Sequence, residues 1–198
     1  MAQPAYAAER PGAIVDLMGA RSLARDAVLV VAMSLLTALL AQVQIRLAFT
    51  PVPITGQTFA FLMAGAALGA RRGIASQLLY LLMGAVGLPV FAGGAAHLAI
   101  IAGASGGYLL GGAVCAYGVG LLAERGWGRT VATALLAMAV GEFLVYVPGL
   151  LDLARFVPPS QLLTDGLYPF IPGDILKVLV VTALLPLSWR LVGGRPTA

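Results

Sequence analysis

The sequence predicts an all-α integral membrane protein with six transmembrane helices and both termini in the cytoplasm. Three observations carry this: the scarcity of charge, the division of the apolar residues into six runs, and the side on which the arginines fall. Of 198 residues, 60% are hydrophobic and 10% charged, and the mean hydropathy is +0.96. Soluble domains carry about 25% charged residues, so this chain has too few to coat a water-facing surface. Its apolar content excludes disorder. One cysteine excludes an internal disulfide scaffold. A net charge of +4 without a Lys/Arg block gives no nucleic-acid surface.

A hydrocarbon core about 30 Å thick needs roughly 17–25 apolar residues per helix. The first such run is Ala27–Phe49, ended by Pro51 and Pro53; the second, Ile54–Ala70, is short and closed by Arg71 and Arg72. The third is Gly73–Leu88, stopped at Pro89, and the fourth Gly106–Ala123. The fifth, Arg129–Val147, is expected to end at Pro148-Gly149. The last, Ile171–Val192, opens with Pro172 in a first turn, where a missing N–H does no harm. Val90–Ser105 is apolar but broken by Gly93, Gly94 and Gly103, and is expected to fold back as a loop. Irregular backbone at membrane depth survives only against protein or a water-filled cavity, so this loop already hints at a cavity.

Nine arginines (Arg10, Arg21, Arg25, Arg71, Arg72, Arg125, Arg129, Arg190 and Arg195) fall on one side of this path. Arg46 and Arg155 fall on the other, and the positive-inside rule then puts both termini in the cytoplasm. The expected organisation is a cytoplasmic tail over 1–26, a membrane domain over 27–192 and a second tail over 193–198. Met1–Ser22 lacks an apolar stretch with a cleavage site, so it reads as tail, with Ile14, Val15, Leu17 and Met18 suggesting an amphipathic surface helix.

The external loops are then Leu47–Pro53, Pro89–Ser105 and Pro148–Phe170, with most of the prolines and the only histidine, His97. The sharpest chemical signal lies just beyond them, in Pro172-Gly-Asp-Ile-Leu-Lys177. Asp174 and Lys177 are three residues apart and share a helix face, and Lys177 lies about 9 Å inside the span at 1.5 Å per residue. A charge at the membrane centre costs about 2.5–3.5 kcal/mol on insertion scales. Retaining two is best explained by a polar solute site facing a cavity, with Asp174 accepting hydrogen bonds and Lys177 donating them. The bland alternative is a pair that satisfies itself or snorkels. Glu142, the other intramembrane acid, could pair with Arg46 or Arg155, meet nothing nearer than water, or belong to the site, with pairing the first expectation; Tyr108 and Tyr146 lie in the external half. Ser34-x-x-x-Ala38 and Thr37-x-x-x-Ala41 form a small-residue face, suited either to packing within the bundle or to a partner subunit.

Other chemistries fit poorly. Gly103-Ala-Ser-Gly106 resembles the nucleophile motif of rhomboid-like intramembrane serine proteases, with Ser105 as nucleophile, but His97 is the only available base and sits eight residues upstream. There is no G-x-x-x-x-G-K-[ST] for nucleotide. One His, one Cys and scattered carboxylates offer no metal site, and no cofactor is expected.

Several ordered motifs resemble the BioY family of biotin-specific S components of energy-coupling-factor (ECF) transporters. They are Thr50-Pro-Val-Pro-Ile-Thr-Gly-Gln57, Leu68-Gly-Ala-Arg-Arg-Gly73, Gly84-Ala-Val-Gly-Leu-Pro-Val-Phe-Ala-Gly-Gly94, Gly106-Gly-Tyr-Leu-Leu-Gly111 and Ile171-Pro-Gly-Asp-Ile-Leu-Lys177. The resemblance implies the six-helix S-component fold, a bacterial inner-membrane location and high-affinity biotin capture from outside, without enzymatic activity. It places Asp174 and Lys177 at the ligand and makes Pro53, Thr55, Gln57, Gly93, Gly94 and Tyr108 lining residues. It also implies a transmembrane coupling subunit, toward which Ser34, Thr37, Ala38 and Ala41 would face, and two ATPase subunits. An S component for another vitamin is the runner-up. The chain departs from the family where Ala95, Ala96 and His97 follow the Gly-Gly pair, a position at which some members carry Asn.

Overall fold

A computed structural model describes residues 12–18 and 22–191. The expected tails, including Arg10, Arg21 and Arg195, lie largely outside these described residues. Among the described residues, six helices have twelve residues or more: α1 (Leu23–Gln42), α2 (Gln57–Leu68), α3 (Ala70–Ala85), α5 (Gly106–Glu124), α6 (Val131–Leu153) and α8 (Ile171–Leu191). Two short helices, α4 (Leu98–Ile101) and α7 (Leu162–Gly166), sit in the connections, and β1 (Gln44–Ile45) pairs antiparallel with β2 (Ile54–Thr55). Four of the helical segments are long and apolar enough to cross a bilayer. Leu35, Leu39, Val114, Phe143 and Leu179 point outward, an apolar exterior that water would not tolerate and lipid does.

Caps and backbone hydrogen bonds explain where the helices depart from the hydropathy runs. Ser22 caps α1 by accepting from the Arg25 amide at 3.2 Å, so the helix starts before the apolar run. It stops at Gln42, seven residues short of the expected end, because Gln44 and Ile45 pair with Thr55 and Ile54 across a hairpin. The same hairpin takes Ile54 and Thr55 from the second span. At 1.5 Å per residue the remaining α2 is about 18 Å long, and the space above its first turn stays open. Gly69 joins α2 directly to α3 at φ +80°, a conformation that suits glycine.

Pro148 does not end the fifth span. It lies inside α6, which continues to Leu153, with α5 packed closely against that turn. A β-carbon on Gly107 would lie 2.2 Å from the Pro148 carbonyl, and the Gly107 amide donates to Asp152 Oδ2 at 2.9 Å. The α6 turn at Pro148 thus lies directly against α5.

The core lies between α2, α5, α6 and α8 around Phe61, Leu62, Cys115, Val119, Met138 and Val181. The small-residue face of α1 turns inward. Ser34 Oγ donates to the Ser76 carbonyl at 2.8 Å, Thr37 meets Gln77 at 3.3 Å, and Ser34, Thr37 and Ala41 are fully buried, with Ala38 packed beside them. Of the two uses the sequence left open for this face, packing within the bundle is formed: its hydroxyls find buried polar partners on α3. Residues Ile14–Met18 form a 3₁₀ turn, not an amphipathic surface helix: Ile14 enters the core, and Ala13 and Val15 pack on Leu68. Arg72 ties this turn down through Asp16 at 2.6 Å and Asp26 at 3.1 Å. That end of the bundle also holds Glu124, on the Ala70 amide, and Arg129, over the Trp189 ring. The cavity lies at the other end.

Candidate functional site

The charged pair expected on the last helix is formed, with Asp174 buried and Lys177 half-buried. Lys177 Nζ lies 2.7 Å from Asp174 Oδ1, with the two side chains 17% and 7% exposed. Asp174 sits one turn into α8 because Pro172 and Gly173 start the helix there and its amide bonds the Phe170 carbonyl at 2.9 Å. The first turn is where the helix dipole favours an anion. Thr58, on the opened first turn of α2, completes a triangle: it accepts from Lys177 Nζ at 2.7 Å and donates to Asp174 Oδ1 at 3.1 Å. The Tyr146 hydroxyl donates to Asp174 Oδ2. Lys177 has three N–H donors, and two are used here, so one remains for a ligand.

This cluster forms part of the wall of a cavity of about 390 Å³, within the range of small-ligand sites. Residues of the first hairpin, the loop before α5 and the α6–α8 connection close around it. Thr50 Oγ1 donates to the Asp165 carbonyl at 2.7 Å, and Val52 packs with Leu153 and Phe170, so the first and last of these segments hold each other. Tyr108 and Tyr146 meet edge to face with ring centroids 6.3 Å apart, and Phe170 lies 6.1 Å from Tyr108. Together with Phe61 and Phe91 these rings give the polar cluster an apolar surround.

Of the expected lining residues, Asp174, Lys177, Tyr108, Gln57, Thr55 and Pro53 all line the cavity. Tyr108 presents its ring, because its hydroxyl is committed to the Gly166 carbonyl at 2.7 Å. Gln57 is held by Tyr80, whose hydroxyl accepts from Nε2 at 2.7 Å, and by Thr55, which donates to Oε1 at 2.9 Å. Gly93 and Gly94 are not in the wall; their neighbours Ala92 and Ala95 are. The glycines form a left-handed turn behind it, with φ of +69° and +72°. A β-carbon on Gly93 would lie 2.5 Å from Arg46 Nη2.

Sequence reasoning missed Thr58 and Arg46, both of which line the cavity, and left Tyr146 without a role. Thr58 directly follows the Gln57 of a quoted motif, and Tyr146 lies one helical turn beyond an intramembrane acid; both signals were present. That acid, Glu142, does not pair with Arg46 or Arg155. Both its carboxyl oxygens are buried without a hydrogen-bond partner among the described residues. Because α6 runs on past Pro148, Arg155 stands thirteen residues further along the chain, about 20 Å at helical rise, and it pairs instead with Asp152. The protease alternative has no assembled dyad: among the described residues no hydrogen bond joins Ser105 to His97, whose ring lies against Gly87. Among the described residues no three His, Cys, Asp or Glu side chains cluster as metal ligands.

An apolar-faced bundle with a charge cluster in the wall of an end-on cavity is the architecture of a membrane protein with room for a small ligand. The BioY family model matches residues 12–194, and the chain belongs to the BioY family. It is similar to the biotin transporter BioY of Rhizobium etli, 42% identical over 149 residues, covering 71% of this chain and 79% of that protein. A probable biotin transporter BioY of Pyrococcus horikoshii is 37% identical over 151 residues, covering 76% and 87% respectively. Among solved structures, the S-component for biotin from an ECF-type ABC transporter superposes with a TM-score of 0.77 at 25% identity, covering 86% of this chain and 95% of that one.

Proposed function

We propose that this chain captures biotin from outside the bacterial inner membrane, as the substrate-binding subunit of an energy-coupling-factor uptake system. The observation that carries the reading is the Asp174–Lys177–Thr58 cluster inside an aromatic cavity. Biotin's ureido ring has two N–H donors and one carbonyl, and its valeryl tail ends in a carboxylate. Asp174 accepts from the ring, while the spare Lys177 donor serves the ring carbonyl. Tyr108, Tyr146 and Phe170 enclose the bicyclic body. The tail carboxylate falls to Arg46, the second cation of the wall, which is hydrogen-bonded only to Gln44 among the described residues.

The positive-inside count puts the Arg72 end in the cytoplasm and the cavity outside. The membrane domain over 27–192 then delivers biotin inward with a coupling subunit and two ATPases, because this sequence has no P-loop motif of its own.

The direct experiment is equilibrium binding of labelled biotin to the purified protein in nanodiscs, with thiamine and riboflavin as competitors. Saturable binding resisted by neither competitor is expected. Absence of binding, or displacement by another vitamin at lower concentration than biotin, overturns the substrate. The assignment of the tail has its own check. Arg46→Ala should weaken biotin about tenfold, a typical value for one charge-assisted hydrogen bond, yet leave biotinamide, whose tail is neutral, nearly unaffected. Equal losses for the two ligands would move the carboxylate elsewhere.

A further inference from the structure

Both carboxyl oxygens of Glu142 are buried, and neither has a hydrogen-bond partner among the described residues. An acid inside a membrane helix is expensive to keep, and none of the bonds that build the cavity uses this one. Its surroundings follow from the register of α6 against α8. The Tyr146 hydroxyl meets Asp174 near the cavity, and Arg129, just before α6, lies over the Trp189 ring at the far end, so the two helices run antiparallel. One turn below Tyr146 on α6 is Glu142, and one turn below Asp174 on α8 is Lys177. The acid and the ammonium therefore lie at the same depth, each beneath a member of the Tyr146–Asp174 pair.

Few charged or titratable groups face Glu142. Asp174 and Lys177 do so from α8 and Tyr146 from its own helix. From α5 comes Cys115, whose Sγ would lie 3.2 Å from a β-carbon on the neighbouring Gly141. Helix α2 carries no titratable residue, and Asp165 of α7 lies at the external end, where its carbonyl accepts from Thr50. Lys177 is the one cation in this group, and it has a carboxyl on either side. It gives one N–H to Asp174 and one to Thr58, each at 2.7 Å, and keeps a third. Its four-carbon stem is flexible. The third donor thus has two claimants: an ionised Glu142 from below and a ligand from the cavity. A protonated Glu142 carries no charge and makes no such claim.

We propose that Glu142 is a proton-binding site coupled to the solute cavity through Lys177. With the proton bound, Lys177 holds Asp174 and Thr58 and offers its third N–H upward to the ligand. When the proton leaves to bulk water, the Glu142 carboxylate takes that N–H and draws the ammonium down, and the grip on the ligand weakens. Glu142 is not in the cavity wall; it is a positioning residue that acts through Lys177. Coupling between two binding events is reciprocal. A ligand held better by the protonated form takes up protons as it binds, and its affinity falls as the pH rises through the ionisation of Glu142.

This inference rests on the biotin reading, and the experiment separates the two failures. Calorimetric titration with biotin in buffers of different ionisation enthalpy counts the protons exchanged per ligand bound. It starts at about pH 6, clear of the ligand's own carboxyl, which titrates near the ordinary carboxylate value of about 4.3. Wild type is expected to take up protons on binding and to lose about tenfold in affinity as the pH rises, the worth of one charge-assisted hydrogen bond. Glu142→Gln cannot ionise, so it should keep the low-pH affinity throughout and take up correspondingly less. Glu142→Asp should restore the pH dependence. Cys115 and Tyr146 remain in both variants, so their titration cannot produce the difference. Identical pH profiles for wild type and Glu142→Gln overturn the proposal, and so does binding to wild type without proton uptake. If wild type binds no biotin, the substrate reading fails and the proton site is judged without ligand. Infrared difference spectra across the same pH range should then show a titrating carboxylic-acid carbonyl band that Glu142→Gln lacks; a wild type without that band overturns the site.

Discussion

Asp174→Asn is expected to weaken biotin binding at least a hundredfold while the protein stays folded. The substitution keeps shape and volume but removes the charge that pairs Lys177 and accepts from Thr58 and Tyr146, the charge we propose for a ureido N–H of the ligand. Hydrogen bonds to a charged group contribute about 1.5–3 kcal/mol each; Asp174 already accepts three of the roughly four that a carboxylate can take, so losing the remaining ligand bond together with the charge that orients Lys177 costs about 3 kcal/mol, and 1.4 kcal/mol is a factor of ten. The amide also turns a donor toward a ligand that itself donates. Lys177→Met should produce a loss of similar size, because it strands the buried carboxylate and removes the donor to the ring carbonyl. The double variant is the sharper measurement. Two groups in one ion pair are not independent, so combining the changes should cost clearly less than the sum of the single losses. Titration calorimetry on the four proteins decides this: additive losses would show that the residues act separately, and unchanged affinity in both single variants would remove the site.

Gly120→Ala is expected to lower stability by about 3 kcal/mol, the upper range for overpacking a close-packed interior, whereas Gly118→Ala, two residues away on the same helix, should be close to neutral. An added β-carbon at Gly120 would lie 2.3 Å from the Ala70 nitrogen, 2.4 Å from its Cα and 2.5 Å from the Gly69 carbonyl carbon. All three are backbone atoms at the α2–α3 junction, and none can rotate aside. At Gly118 the nearest atom is Leu144 Cδ1 at 2.4 Å, the end of a side chain with other rotamers. Gly→Ala is itself favoured in a helix by about 0.5–1 kcal/mol, which offsets that adjustment. Thermal melting of the two variants in the same detergent separates them, and equal melting temperatures would mean that the close approach of α5 to the junction is not a stability determinant.

Much of this molecule was legible in its residues because the membrane imposes simple rules. Low charge, runs of apolar residues and motif order led to the membrane class and the family. The Asp174–Lys177 face followed from helical spacing and from the cost of two charges in an apolar medium. Helix ends were less legible, for a definite reason. Hydropathy records what lipid accepts, whereas a helix ends where its backbone finds other partners. Val43–Phe49 is apolar enough to continue α1, but the β1–β2 hairpin uses that backbone, and Pro148 looked like a terminator although α6 runs through it to Leu153. Gly93 and Gly94 are a related case: the motif drew attention to them, while the structure puts them behind the wall, shaping the places of Arg46 and Gln42.

By itself, then, the sequence determined a bundle of membrane helices with a charged pair on one face of its last member, since composition and periodicity depend on local chemistry alone. Tertiary structure decided what that pair meets. Thr58 and Tyr146 stand 116 and 28 residues from Asp174 along the chain, and no local pattern brings them together. It also decided that the small-residue face of α1 packs on α3, and that Glu142 goes without the arginine partners expected for it. Contacts between helices distant in sequence depend on how side chains of particular sizes and hydrogen-bonding groups fit across an interface, and that information exists only once the chain has folded.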